Sequence, residues 1–274
     1  TTADVAGNNV SLDSAVALAA NVAIDTARTI NNGNITITGA TTGASRDFAL
    51  TGNAIQTGAI STKGGTNSAG GAVTIAANGA ASLGAITTTG GAATSGNNGN
   101  SAGAVTIAAT DITVGAITAT GSAGVGAGLD LNGGNGGAIS LDATDATPTI
   151  ALAGSLNTSG GAAIGGGTGG SGGAITVADD ATVAANFAAT STRGTGGLAD
   201  GNQSFAALDG DVAGRTVTLN AGAAGNISVG ALGATNAVGT TTITANQLTL
   251  NGNVATNNAN VTASGVASVL LAND

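Results

Sequence analysis

Short segments in which apolar and polar residues alternate recur along the chain, and this pattern predicts β-strands. Apolar residues stand at positions i and i+2 with Thr or Ser between them, as in segments 35–37, 73–75 and 217–219. A period of two places one row of side chains in a core and the other row in solvent. The side chains predicted to point inward are Ile35, Ile37, Val73, Ile75, Ile86, Val105, Ile107, Ile117, Ile139, Leu141, Ile175, Val177, Val217, Leu219, Ile227, Val229, Leu248 and Leu250.

One glycine-led segment, close to Gly-Ala-Val-Thr-Ile, occurs four times. The copies start at Gly71, Gly103, Gly137 and Gly173, and their first β-branched residues are separated by 32, 34 and 36 residues. Recurrence on this scale is typical of solenoids, in which each unit buries its apolar face against its neighbours. The pattern therefore predicts an all-β protein, a parallel β-helix (β-solenoid) of about a dozen coils at roughly 20 residues each.

The predicted solenoid is one continuous unit over residues 1–274. Residues 1–62 and 205–274 carry compact coils, whereas residues 63–204 carry repeats with long glycine-rich loops. We expect these loops to be ordered, because each glycine run ends directly on a Val or Ile anchor. Neither end has the distinct cap of a solitary solenoid, so we expect uncapped ends on which copies of the chain, or neighbouring repeats of it, stack end to end.

The composition supports a thin core. The chain has 49 Gly, 42% apolar residues, 1% aromatic residues and 7% charged residues, with a mean hydropathy of +0.34. This is too apolar and too weakly charged for ordinary disorder. Stacked strands suit such a sequence, because each coil needs only a few small inward side chains.

The charge argues against two classes of partner. The net charge is −9, and the five basic residues, which include Lys63 and Arg28, do not cluster. We therefore expect no nucleic-acid partner. No run of 18 apolar residues occurs, so membrane insertion is not expected either.

Segments 33–37, 225–229 and 248–254 resemble the repeats of filamentous-haemagglutinin-type surface exoproteins of bacteria. Giant β-solenoid fibre proteins of bacterial stalks and sheaths are similar at this level. The resemblance implies a right-handed parallel β-helix, export to the cell surface or to a secreted filament, and a shaft that holds adhesive or fibrous material away from the cell.

Conventional catalytic groups are scarce. His, Cys, Glu and Tyr are absent, which leaves Asp, Ser, Thr and Lys63. Paired Asp residues at 142 and 145, 179 and 180, or 209 and 211 could serve a β-helix glycosidase. Sugar subsites usually need aromatic platforms that this chain lacks, so we expect no enzyme, no catalytic residue and no cofactor-binding residue.

Calcium is the most plausible ion, because it takes several carboxylate and carbonyl oxygens. Asp130 and Asn132 lie in a segment that loosely resembles the calcium-binding nonapeptide, and Asp209 and Asp211 flank a glycine. The nonapeptide-like segment occurs once, whereas such sites arise from stacked repeats. Turn formation by Asp and Asn is the preferred interpretation, and these four residues remain weak calcium candidates.

Two further polar patterns admit alternatives. The six Asn-X-Ser/Thr sequons could carry glycans or could form an internal hydrogen-bonded ladder of stacked amides, which we favour; they start at Asn9, Asn34, Asn157, Asn202, Asn226 and Asn260. The Thr clusters 87–89, 118–120 and 240–242 supply a second pattern, because outward Thr residues in rows could form an ice-binding face. A flat face needs equal coil lengths, and the unequal intervals argue against it.

These observations predict a structural and interaction protein, one segment of a secreted bacterial extracellular fibre or surface filament that stacks end to end. An adhesin shaft, or a binding module for a surface or glycan, is the alternative. An ice-binding solenoid is a minor one.

Overall fold

The computed structural model describes residues 8–27, 32–145 and 149–271, and the regular elements in these ranges are all β-strands. The strands are β1 (Val10–Leu12), β2 (Val16–Ala17), β3 (Val22–Asp25), β4 (Ile35–Ile37), β5 (Thr41–Thr42), β6 (Phe48–Gly52), β7 (Ile55–Thr57), β8 (Ile60–Ser61), β9 (Val73–Ala77), β10 (Ala81–Leu83), β11 (Ile86–Thr87), β12 (Val105–Ala109), β13 (Asp111–Val114), β14 (Ile117–Thr118), β15 (Ile139–Ala143), β16 (Thr149–Leu152), β17 (Leu156–Asn157), β18 (Ile175–Val183), β19 (Phe187–Thr190), β20 (Gln203–Gly210), β21 (Val217–Asn220), β22 (Asn226–Leu232), β23 (Thr241–Thr244), β24 (Gln247–Leu250), β25 (Val261–Ser264) and β26 (Ser268–Leu271).

The strands form a β-solenoid with three sides. In the first part of the chain each strand pairs in parallel with the strand three elements later, so that β1, β4 and β7 are neighbours. The second side is a ten-stranded sheet that starts with β2 and ends with β25. The first side begins with β1 and the third side with β3. These two sides join into one 16-stranded sheet, because β18, β20 and β22 run from the third side onto the first.

The core is the column of inward side chains between the three sides. All of the predicted inward residues are buried except Leu250, which is half-buried near the last described strands. Phe48, Phe187 and Phe205 are buried as well. The period of two therefore predicted the core correctly, and the repeat character of the chain is confirmed.

Strand register is kept although the coils differ in length. On the third side Val73 pairs with Val105, which pairs with Ile139, which pairs with Ile175. Most of the extra residues lie in the loops between the second and third sides, and the coil that starts at Ile139 has further residues between β15 and β16. We call these loops the glycine-rich corner, which comprises residues 62–72, 88–104, 119–138, 158–174 and 191–202.

Backbone hydrogen bonds in two directions order the glycine-rich corner. Along the stack, Gly90 N donates to Thr120 O at 2.9 Å. Across one loop, Gly103 N donates to Thr88 O at 2.9 Å. Each loop therefore forms hydrogen bonds to the next coil and between its own outgoing and returning segments. These backbone bonds order the corner without a core of side chains.

Glycine is required here because backbones pack directly on one another. A Cβ atom on Gly103 would lie 2.1 Å from the carbonyl oxygen of Gly71, and one on Gly137 would lie 2.1 Å from that of Gly103. No real Cβ atom tolerates such a distance to a backbone atom. The glycine runs are thus a packing requirement of the ordered corner.

Four of these loops are closed at their base by a buried hydroxyl group. We call this base, where the first and last residues of the loop meet, the neck. The donors Thr62, Thr88, Thr158 and Ser191 bond the carbonyl oxygens of Gly71, Gly103, Gly173 and Gly201 at 2.6 to 2.7 Å. In the loop over residues 119–138 the equivalent position is Ala119, which is buried without a hydroxyl group. The neck is thus held by a side chain in some coils and by backbone bonds alone in that one.

Candidate functional site: the outer surface of the second side

A column of small polar side chains runs along the outer surface of the second side. Strand register aligns one outward residue from each of nine neighbouring strands: Thr42, Ser61, Thr87, Thr118, Asn157, Thr190, Asn220, Thr244 and Ser264. Seven of the nine carry a hydroxyl group and the other two carry an amide. This central column contains no charged side chain.

A second column lies beside it, toward the glycine-rich corner. Gly90 N donates to Thr120 O at 2.9 Å, which aligns Thr89 with Thr120, and equivalent bonds align Ser159 and Thr192 with them. The Thr192 hydroxyl donates to Ser159 Oγ at 3.2 Å. Gly64 N donates to Thr89 O at 2.8 Å, so the exposed Lys63 precedes Thr89 in this second column, and a shallow groove lined by Lys63, Thr89 and Thr120 follows this edge.

The predicted Thr clusters contribute alternate residues to the surface. Thr87 and Thr89 point outward, whereas Thr88 between them is fully buried. In the cluster at 118–120 the inward position is Ala119. Of the last cluster, Thr242 joins a flanking column and pairs with Thr218 and Thr262, while Thr241 points inward.

Unequal coil lengths do not disturb the strand register of the second side, contrary to the expectation from the sequence intervals. Ile86 pairs with Ile117 and Ile117 pairs with Leu156, although these residues are separated by very different lengths of chain. The glycine-rich corner takes up part of the difference, and a longer connection between β15 and β16 takes up the rest. The strands of the second side therefore stay aligned.

The first pair of calcium candidates lies in the glycine-rich corner, and both side chains bond the next coil. Asp130 Oδ1 accepts a hydrogen bond from Gly166 N at 2.6 Å. Asn132 Oδ1 accepts one from Thr168 N at 2.8 Å. Each side chain thereby extends the backbone ladder where the chain leaves the strands.

The second pair lies on β20 and in the turn after it. Asp209 Oδ1 accepts a hydrogen bond from Thr235 N at 3.0 Å. Asp211 forms a two-pronged ion pair with Arg215, at 2.6 Å from Nε to Oδ1 and 2.9 Å from Nη2 to Oδ2. This hydrogen bonding from the guanidinium holds the pKa of Asp211 below its ordinary value.

These four candidates are not brought together by the fold. Within the described ranges no three acidic, His or Cys side chains gather where they could hold a metal ion. Calcium binding stays a prediction. Asp179, one member of the Asp pair at 179 and 180, is engaged in the same way as Asp130, since its Oδ2 accepts a hydrogen bond from Ala143 N at 2.8 Å.

Two columns of sequon asparagines form the predicted ladder, but at the surface. Asn9 Oδ1 accepts a hydrogen bond from Asn34 N at 2.8 Å, and Asn202 Oδ1 accepts one from Asn226 N at 2.9 Å. Asn157 bonds locally instead, to the backbone and hydroxyl of Ser159. The ladder also joins amide to amide, since Asn53 Nδ2 donates to Asn34 Oδ1 at 3.0 Å and Asn246 Nδ2 donates to Asn226 Oδ1 at 3.3 Å.

Sequence reasoning missed a buried polar residue on the third side. Gln203 is 1% exposed and occupies the position of Ile227 in the next coil. Its Nε2 donates to Ala189 O at 3.1 Å, Ser191 Oγ at 3.1 Å and Asn220 O at 2.9 Å. The sequence could have indicated this inward position, because segment 202–205 aligns with segment 226–229 and places Gln203 opposite the inward Ile227.

Comparisons with known proteins give no functional information, so the arrangement of residues described above is the basis for inferring a function. No family model, no curated protein and no solved structure matches this chain. In the part of the chain that the structure describes, no helix is long and apolar enough to cross a membrane.

Proposed function

We propose that this chain is a structural segment of a secreted bacterial extracellular fibre or surface filament. The observation that supports it best is the parallel ladder that continues through all ten strands of the second side. Pulling such a stack apart requires many main-chain hydrogen bonds to break together. The scarcity of charged and aromatic residues suits a shaft better than a catalyst.

In this proposal the coils wind right-handed, as the resemblance to haemagglutinin-type exoproteins implies and as parallel crossovers almost always do. Ten strands on the second side favour about ten coils, fewer than the sequence pattern suggested. At a rise of roughly 4.8 Å per coil the described stack is about 45 Å long. The same resemblance supports an extracellular location.

Exposed edges at both ends of the described stack support end-to-end assembly. Val261 and Val269 are 41% and 51% exposed, although their register partners one coil earlier, Thr241 and Leu248, are buried. At the other end Val16 is only half-buried. Another coil, from a second copy or from the same polypeptide, would cover these side chains and pair the open strand edges.

Sedimentation velocity and electron microscopy over a range of protein concentrations test this proposal. We expect rods that lengthen with concentration. Val261→Asp places a charge on the inward side of β25 and should abolish growth, whereas Thr262→Asp on the outward side of the same strand should leave it intact. Single particles at all concentrations, or equal behaviour of the two variants, would contradict end-to-end stacking.

A further inference from the structure

The outer surface of the second side presents hydroxyl groups on a two-dimensional grid. Along the stack, neighbouring coils are separated by roughly 4.8 Å. Along a strand, outward residues two positions apart are separated by about 6.6 Å. Thr87, Thr89, Thr118 and Thr120 occupy four adjacent points of this grid. Ser61 continues it beside Thr87 and Ser159 continues it beside Thr120, whereas Lys63 lies beside Thr89 and Asn157 lies beside Thr118.

The grid is rigid. Thr is β-branched, so its methyl and hydroxyl groups have few available rotamers. Beneath it, Ile86 and Ile117 are fully buried, and the neck hydroxyl of Thr88 is held at 2.6 Å from Gly103 O. The positions of the hydroxyl groups are therefore fixed before any ligand arrives.

The chemistry of the surface narrows the choice of ligand. An insoluble polysaccharide would need exposed aromatic side chains against which its sugar rings could stack, but Phe48, Phe187 and Phe205 are all buried. A protein partner would need large apolar anchors or charge, and the central column has only Thr, Ser and Asn. The exposed Leu129 and Leu198 lie in the glycine-rich corner, and the exposed Val261 lies on the inward side of the last strand of this sheet.

We propose that this surface binds ice. Methyl and hydroxyl groups repeat at fixed spacings, and the spacing along the stack is close to the distance between next-nearest oxygen atoms in ice. Such a surface can hold a layer of water in a lattice-like arrangement. Charged groups would instead hold liquid-like hydration shells; the central column has none, and Lys63 in the second column borders the four Thr residues at one corner. The proposal concerns the side of the stack and is independent of what happens at its ends.

Freezing experiments on the purified protein test it. We expect thermal hysteresis, shaped ice crystals and adsorption of fluorescently labelled protein to an ice surface. Thr118→Tyr in the middle of the grid should remove most of the hysteresis without changing the melting temperature of the protein. Thr113→Tyr, at an exposed outward position on the first side of the same coil, should retain it.

Three outcomes would overturn the proposal. The wild-type protein could lack hysteresis, ice shaping and ice adsorption. The two Tyr variants could lose activity equally, which would place the activity elsewhere. Finally, the protein could adsorb to insoluble polysaccharide and not to ice, which would assign the grid to a carbohydrate surface.

Discussion

Gly103→Ala should destabilise the protein strongly, because the new Cβ atom has no room. It would lie 2.1 Å from Gly71 O and 2.3 Å from Gly71 C, both backbone atoms in the adjacent coil. Relief requires the two coils to separate locally, which strains the bond from Gly103 N to Thr88 O and the bond from the Thr88 hydroxyl to Gly103 O. Overpacking and two weakened hydrogen bonds together cost about 3 to 5 kcal/mol.

The matched control is Gly65→Ala in the preceding loop, where the nearest atom to a new Cβ is Ala44 Cβ at 3.9 Å. This variant should be neutral or stabilised by up to about 1 kcal/mol, because Ala restricts the unfolded chain. Thermal unfolding followed by circular dichroism should show Gly103→Ala melting roughly 10 °C below the wild type. Hydrogen exchange should localise the loosening to residues 88–104. Equal melting temperatures for Gly103→Ala and Gly65→Ala would refute backbone packing in the corner.

Two further predictions concern the core and the charged surface. Ile107→Asp should cost several kcal/mol in urea unfolding, because Ile107 is fully buried, whereas Thr106→Asp on the outward side of the same strand should change stability by less than about 0.5 kcal/mol; similar losses for both would contradict the inward assignment. Arg215→Gln should raise the pKa of Asp211 toward its ordinary value, as measured by NMR titration of the carboxyl group. Because the folded-state pKa lies below the unfolded one, this pair stabilises the protein above the unfolded pKa and loses its effect as the pH falls through the folded value. The effect on stability should be small at this exposed site, and an unchanged pKa would show that the ion pair does not form in solution.

The core and the strands could be predicted from sequence, because alternation is a local property. In segments such as 73–75 and 227–229, the apolar residues on either side of a Thr or Ser identify the inward positions without further information. Thr88 was harder, since it stands between two other Thr residues and hydropathy gives no contrast among them. Its inward position follows only from the strand that precedes it.

The sides and the regular outer surface could not be predicted, because they depend on which strands pair. The same Ile-Thr-Ile type of segment serves more than one side, so composition does not assign a strand to a sheet. The intervals of 32, 34 and 36 residues suggested irregular coils. Only the three-dimensional pairing shows that the added residues lie in loops outside the strands, most of them at the glycine-rich corner.

Register across the longer coils is the central claim, and disulfide trapping tests it most directly because the chain has no cysteine of its own. Thr74 pairs with Thr106, and Thr106 pairs with Ser140. Neighbouring coils place paired Cα atoms roughly 4.8 Å apart, within the range that a disulfide spans, whereas two coils separate them by about 9.6 Å.

The account predicts that the double variant Thr74→Cys with Thr106→Cys forms an intramolecular disulfide under mild oxidation. It also predicts that Thr74→Cys with Ser140→Cys does not. A disulfide in the second variant, or none in the first, would contradict the stacked register on which the fold, the fibre and the ice-binding surface all depend.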